Sequence, residues 1–167
     1  MSNLVYLMCS LPSLTYGEAP PITMDEFLNE AQSQLSKKSF LKLGQFSLQE
    51  VNAGSGKGKL KRFTKLIEDL HNDLSELRTA KWQQREPELI NLSKSLMELD
   101  PLEREMAIIQ WEWDELTDME VGANFTMTEL IVYKLKLELV SRVYSFDKTH
   151  GAKVLDSVVN PIQNSEV

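Results

Sequence analysis

The stretch from Gly54 to Lys59 has the residue types of a phosphate-binding loop, reading Gly-Ser-Gly-Lys-Gly-Lys. Such a loop needs Gly, four residues and then Gly-Lys-Ser/Thr between a strand and a helix, so that backbone N–H groups surround the phosphates. Here Ala53 stands where the first glycine belongs, Leu60 stands where the hydroxyl is needed, and the preceding segment has a helical pattern. The sequence therefore favours a flexible linker, and a small cytoplasmic nucleotide-binding regulator using Gly54–Lys59 is kept as an alternative.

Other reactive side chains are sparse. Cys9 is the single cysteine, so neither an internal disulfide nor a cysteine-based metal site can form, which is typical of a reducing compartment. His71 and His150 are the two histidines and lie far apart in the sequence. Acidic residues are numerous enough to produce chance carboxylate pairs. The sequence therefore predicts no catalytic residue, cofactor or metal site, and a protein that is not itself an enzyme.

Helices are the elements that would position any functional residue. Capping-box patterns at Thr23–Glu26 and Thr126–Glu129, and the pair Asp100-Pro101, are typical helix starts. The apolar run Leu4–Met8 is too short to distinguish a strand from a helix. Apolar spacings of three and four predict helices at about 23–35, 37–51, 60–82, 86–99, 100–116, 126–144 and 152–159. We expect an all-α bundle of six to seven helices, mostly antiparallel neighbours.

The chain of 167 residues is long enough for one domain with a real core. We expect an N-terminal helical segment over residues 1–51, a Gly-rich linker over 52–59, a helical core over 60–160 and a polar tail over 161–167. Residues 1–17 carry no charge but lack a basic leader, and Pro12 interrupts them. This pattern predicts neither a signal peptide nor a membrane span.

Charge is more informative than any motif. The net charge is −7, which makes nucleic acid a poor partner. Lys37–Lys65 contains eight basic residues and one acidic residue, whereas Glu98–Glu120 contains nine acidic residues and one basic residue. Two interpretations stay open: both segments are solvated faces, or one of them docks a charged partner. The predicted interface residues are Lys57, Lys59, Lys61, Arg62, Trp111, Glu112, Glu115 and Asp118.

The two tryptophans of Trp111-Glu-Trp113 lie about 200° apart around a helix. They cannot both face one core stripe. Trp113 is in phase with Met106 and Ile109, so we expect it in the core. Trp111 then packs against another helix or anchors an interface.

Several segments resemble a bacterial family of unknown function whose members are encoded among V-type ATP synthase subunits. The family is distantly similar to the C-type adaptor of that machine, an all-helical protein that connects the central stalk to the membrane ring. This chain has a shorter middle region than the family pattern. The segments that carry the resemblance are Tyr6–Leu14, Ile22–Leu35, Asp100–Glu105, Trp111–Trp113, Asn124–Glu129, Tyr133–Leu137 and Phe146–Gly151.

The resemblance implies a context and supplies no active-site residue. We expect a non-catalytic helical component or accessory factor of a V-type rotary ATP synthase, similar to the C-type adaptor, that docks onto proteins of the stalk or ring. Such a protein would be cytoplasmic, peripheral at the inner membrane through its partners, without direct membrane insertion. A self-associating helical scaffold is the remaining alternative, and homo-oligomer formation stays open.

Overall fold

The structure, a computed structural model, describes residues 3–50, 56–146, 155–156 and 158–159. Within these ranges it contains six α-helices, one 3₁₀ helix and no strand, so the predicted all-α fold is confirmed. The helices are α1 (Leu4–Ser10), α2 (Met24–Gln34), α3 (Lys37–Gly44), α4 (Lys59–Gln83), the 3₁₀ helix (Lys94–Met97), α5 (Pro101–Glu120) and α6 (Met127–Ser145).

Helix α6 is the centre of the fold. It forms an antiparallel hairpin with α5, and α2 and α3 pack on α6 as well. Helix α1 packs on α2, and α4 packs on α5. Nine residues of α6 are buried, which agrees with the expectation of a helix buried on a wide face. The residues are Leu130, Ile131, Val132, Lys134, Leu135, Lys136, Leu137, Leu139 and Val140.

Local capping signals fix two helix starts as predicted. Thr23 and Glu26 form the reciprocal capping box of α2, with the Thr23 hydroxyl accepting from the Glu26 amide at 3.2 Å. Asp100 caps α5 by accepting from the Leu102 and Glu103 amides, and Pro101 occupies the first helical position. These contacts lie within three residues of each other, so the sequence alone specifies them.

The second predicted capping box is only half correct. The Thr126 side chain accepts from the Glu129 amide at 3.3 Å, as expected. The Glu129 carboxylate, however, accepts from the amide of Phe125 and not from that of Thr126. Phe125 has a positive φ of 56°, which brings its N–H to the carboxylate one residue earlier than a capping box requires.

The predicted helix over 37–51 ends early, at Gly44. Lys134 of α6 donates to the carbonyl oxygens of Leu43 and Phe46, at 3.5 and 2.5 Å. Glu138, one turn later, accepts from the Leu48 amide at 2.9 Å. If α3 continued, these backbone carbonyl and amide groups would form hydrogen bonds within the helix. Lys134 and Glu138 form hydrogen bonds with them instead, and these bonds fix the end of α3 against α6.

The helix predicted over 86–99 is wrong except for the short 3₁₀ helix. The segment instead returns along α4, where the buried carboxylate of Asp73 accepts from three consecutive amides, Ile90, Asn91 and Leu92, at 2.7 to 2.9 Å. In a helix these three amides would instead bond to the carbonyl oxygens of Glu86, Pro87 and Glu88. The ionised carboxylate is the stronger acceptor, so the backbone remains non-helical there.

The remaining predictions of this region fall partly outside the described residues. The run at Leu4–Met8 belongs to a helix, and the long helix predicted to end near Trp82 ends at Gln83. Residues 51–55 of the predicted linker and residues 161–167 of the predicted tail lie outside the description. Of the last predicted helix, over 152–159, residues 155–156 and 158–159 are described and are helical.

Replacing Lys134 tests whether α6 holds the end of α3. Lys134→Met keeps an unbranched side chain but removes the donor, leaving buried carbonyl oxygens and Glu138 without their cation. We expect a loss of about 3 kcal/mol in the free energy of unfolding, measured by urea denaturation. The exposed control Lys81→Met should change it by less than about 0.5 kcal/mol. Equal effects of the two variants would contradict this role.

Asp73→Asn tests the contact that holds residues 90–92. Burial would raise the pKa of Asp73, but the three amides together lower it, so the ionised form is favoured in the folded state. The amide side chain cannot accept three strong bonds, and we expect hydrogen exchange at Ile90, Asn91 and Leu92 to accelerate roughly tenfold or more. Asp114→Asn, at an exposed position, is the control. Unchanged protection in Asp73→Asn would overturn the assignment.

Candidate interaction surfaces

The predicted basic interface residues lie at the start of α4. Lys57 is in the turn before the helix, and Lys59, Lys61 and Arg62 are in its first turn; all four are exposed. Lys59 donates to the carbonyl oxygen of Val121 at 2.7 Å, so its ammonium group ties α4 to the end of α5. Lys57 and Lys61 are therefore the better placed of the four to meet another molecule.

The acidic residues predicted on α5 face these basic residues within the same chain. Half-buried Glu115 and exposed Asp118 line one cleft of about 190 Å³ together with Lys59 and Arg62. The two charged segments are thus neighbours in space, although they are far apart in the sequence. Some of the basic charge of α4 is therefore balanced by acidic residues of α5 in the same chain. The cleft contains charges of both signs, so it is not a docking surface of a single charge.

Glu112 was predicted as an interface residue, and that prediction is wrong because the residue is buried. Its side chain is only 4% exposed, and its Oε2 atom has no hydrogen-bond partner within the described part of the chain. Trp111 and Trp113 on either side of it are both partly buried against the core. The Trp113 ring is tilted by 58° against the Tyr16 ring, with 5.5 Å between the ring centroids, and the Lys136 ammonium lies 4.7 Å from the centroid of the Trp113 ring.

Burial strongly perturbs the Glu112 carboxyl. It raises the pKa of Glu112 to about 7; Arg142 opposes that effect, while Glu105 and Glu138 add to it. Arg142 forms an ion pair with Glu105. The positive charge of Arg142 therefore acts on both Glu105 and Glu112. Glu112 thus lies in the α5–α6 interface and forms no ion pair among the described residues.

Two buried lysines of α6 were not predicted as special residues. Lys136 pairs with Glu120 at 2.7 Å, and Lys134 lies 3.8 Å from Glu138. Burial lowers the pKa of Lys134 and raises the pKa of Glu138, in each case outweighing the attraction between the two groups. The signal was present in Leu135-Lys-Leu-Glu-Leu139, where charged residues interrupt an apolar helix at every second position.

A cleft of about 720 Å³ lies where α6 meets residues 47–49 and the start of α2. Its polar lining includes Glu138, Arg142, Ser47 and Ser141. The carboxylate of Glu138 already accepts from the Leu48 amide and from the Ser47 hydroxyl, and Arg142 is paired with Glu105. These charged groups hold elements together, so the cleft offers a ligand few uncommitted charges.

Candidate chemical residues do not converge. Cys9 and His71 are exposed on different helices, and His150 lies outside the described residues. No group of His, Cys, Asp or Glu suited to a metal ion occurs in the parts of the chain that the structure describes. Gly56 and Gly58 have positive φ angles and lead into α4, but no strand precedes them in the described residues up to 50. Nucleotide binding there stays a prediction.

Helix α3 carries a basic surface that was not among the predicted interface residues. Lys37, Lys38 and Lys42 are exposed, and Leu41 between them is 60% exposed. The segment that follows α3 approaches the turn that precedes α4, because Phe46 Cζ is 3.5 Å from the position that a Cβ atom on Gly56 would occupy. We call Lys37, Lys38, Lys42, Lys57 and Lys61 together the basic surface.

Comparison with known proteins identifies one family. A family model described as a protein of unknown function, DUF2764, matches residues 75–166. No curated protein and no solved structure matches the chain. Across the described residues, none of the helices is both long enough and apolar enough to cross a membrane.

Glu112→Gln tests the buried acid through pH dependence. The unfolded carboxyl, at its ordinary pKa of 4.5, ionises before the folded one, whose pKa is about 7. The folded state therefore binds more protons between these pH values, and its free energy of unfolding should fall by about 3 kcal/mol as the pH rises through them. Glu112→Gln should remove this fall, whereas Glu115→Gln should keep it. Parallel profiles for wild type and Glu112→Gln would refute the assignment.

Proposed function

Because this chain belongs to the DUF2764 family of proteins of unknown function, we propose a role that rests on its surfaces and on its sequence resemblance. The proposed role is that of a non-catalytic helical docking factor of a V-type rotary ATP synthase, contacting proteins of the stalk or ring. The motifs of the resemblance between Asp100 and Gly151 fall inside the matched residues 75–166.

The basic surface is the observation that supports docking most directly. The whole chain carries a net charge of −7, yet the basic surface has five exposed lysines, three on α3, one in the turn before α4 and one in the first turn of α4. In the described ranges no carboxylate lies within ion-pair distance of these lysines. Unpaired charge of one sign accelerates association with a partner of the opposite sign and makes binding depend on salt.

Co-purification with a tagged central-stalk protein of the synthase tests this role. We expect the chain to be retained at low ionic strength and released at about 1 M salt, where the Debye length shrinks to about 3 Å. Failure to bind any protein of the stalk or ring at low ionic strength would overturn the proposal.

Charge-reversal variants separate a docking surface from a general charge effect. Lys57→Glu with Lys61→Glu should weaken retention by about tenfold or more at low salt, because two cations facing the partner become anions. Lys81→Glu with Lys94→Glu changes the net charge by the same amount at exposed positions outside the basic surface. Equal losses for both pairs would show that only net charge matters.

A further inference from the structure

Helix α3 exposes a leucine that the core does not use. Leu43 is fully buried and Phe40 is half-buried against the core, whereas Leu41 is 60% exposed. Leu41 is the one apolar residue lining an open depression of about 630 Å³, whose other lining residues are mostly basic. These are Lys37, Lys38, Lys42 and Gln45.

The structure holds this face in a fixed orientation. Ser36 caps the start of α3 by accepting from the Ser39 amide at 3.2 Å. At the other end, Lys134 binds the carbonyl oxygens of Leu43 and Phe46 from within the core. A helix held at both ends loses little backbone conformational entropy when it binds, so the positions from which its side chains extend are fixed before a partner arrives.

Within the described residues, the lysines around Leu41 have no anionic neighbour, in contrast to exposed Lys65 and Lys94. Lys65 pairs with Asp69 at 3.0 Å, and Lys94 pairs with Glu86 at 2.8 Å. Within the described ranges, no carboxylate lies within 4.0 Å of the ammonium groups of Lys37, Lys38 or Lys42. Among the described residues, the cations around the exposed leucine are therefore not neutralised by ion pairs.

We propose that this α3 face binds an acidic segment of a protein partner, with an apolar side chain of that segment covering Leu41. Carboxylates on the segment complement Lys37, Lys38 and Lys42. A lipid surface is the weaker fit, because a single exposed leucine gives little insertion into a membrane. The acidic character of the segment is inferred from the α3 face itself. That the partner is a component of the ATP synthase rests on the proposed function.

Site-specific photo-crosslinking tests the occupant directly. A benzoylphenylalanine residue replaces Leu41 in the full chain within cells, and mass spectrometry maps the crosslinked peptide. We expect a peptide rich in Asp and Glu. The matched control is the same residue at Ile90, which is 64% exposed elsewhere on the surface and should not capture that peptide. No crosslink above the control, or a peptide without an acidic run, overturns the inference.

Charge variants make the test specific to the lysines. Lys38→Glu with Lys42→Glu should lower the crosslink yield by about tenfold or more, while Lys38→Arg with Lys42→Arg should retain most of it. Thermal unfolding monitored by circular dichroism checks that the variants fold. Equal yields from both pairs overturn the inference. Lysine-dependent sedimentation of the wild type with phosphatidylglycerol vesicles would also overturn it, in favour of a lipid occupant.

The outcomes separate this inference from the proposed function. An acidic segment of a stalk or ring protein supports both. An acidic segment of another protein supports the α3 face and counts against the ATP synthase role. Co-purification with a stalk protein without any specific crosslink at Leu41 leaves the role in place and overturns the α3 face as the contact.

Discussion

The pairing of Lys134 with the end of α3 is the contact on which the rest of the arrangement depends. A helix buried on most of its circumference has no water to solvate an ammonium group, so the cation must find oxygen ligands inside the protein. The carbonyl oxygens of Leu43 and Phe46 and the nearby carboxylate of Glu138 supply them. The same contacts end α3, orient its exposed face and fix residues 46–48 against α6.

Helix starts could be predicted from the sequence where the stabilising contact is local. Thr23 with Glu26 and Asp100 with Leu102 satisfy orphan backbone donors within three residues, and both starts are correct. The same reasoning failed at residues 86–99 and 45–50. There the deciding partners are Asp73 and Lys134, which lie from 17 to 91 residues away in the sequence. Periodicity contains no information about such contacts.

The candidate site was predictable only in part. Counting charges correctly located a basic and an acidic segment, and Lys57 and Lys61 are indeed exposed. Sequence position could not reveal that Arg62 and Asp118 line the same cleft, nor that Glu112 turns into the α5–α6 interface. Acidic residues are normally solvated, so an acid inside a charged run gives no sign that it is the buried one. In the folded chain, acidic residues of α5 lie beside basic residues at the start of α4. The lysines of α3 have no such acidic neighbours among the described residues.

The partners of α6 also limit where the chain can be divided. The family model begins at residue 75, within α4, and contains Lys134, Glu138 and Tyr133. Their bonding partners Phe46, Leu48 and Pro12 all precede that boundary. A fragment restricted to residues 75–166 would keep Lys134, Glu138 and Tyr133. It would lack the backbone groups before residue 75 to which these side chains are hydrogen-bonded. We therefore expect residues 3–50 and the matched region to unfold together as one cooperative unit.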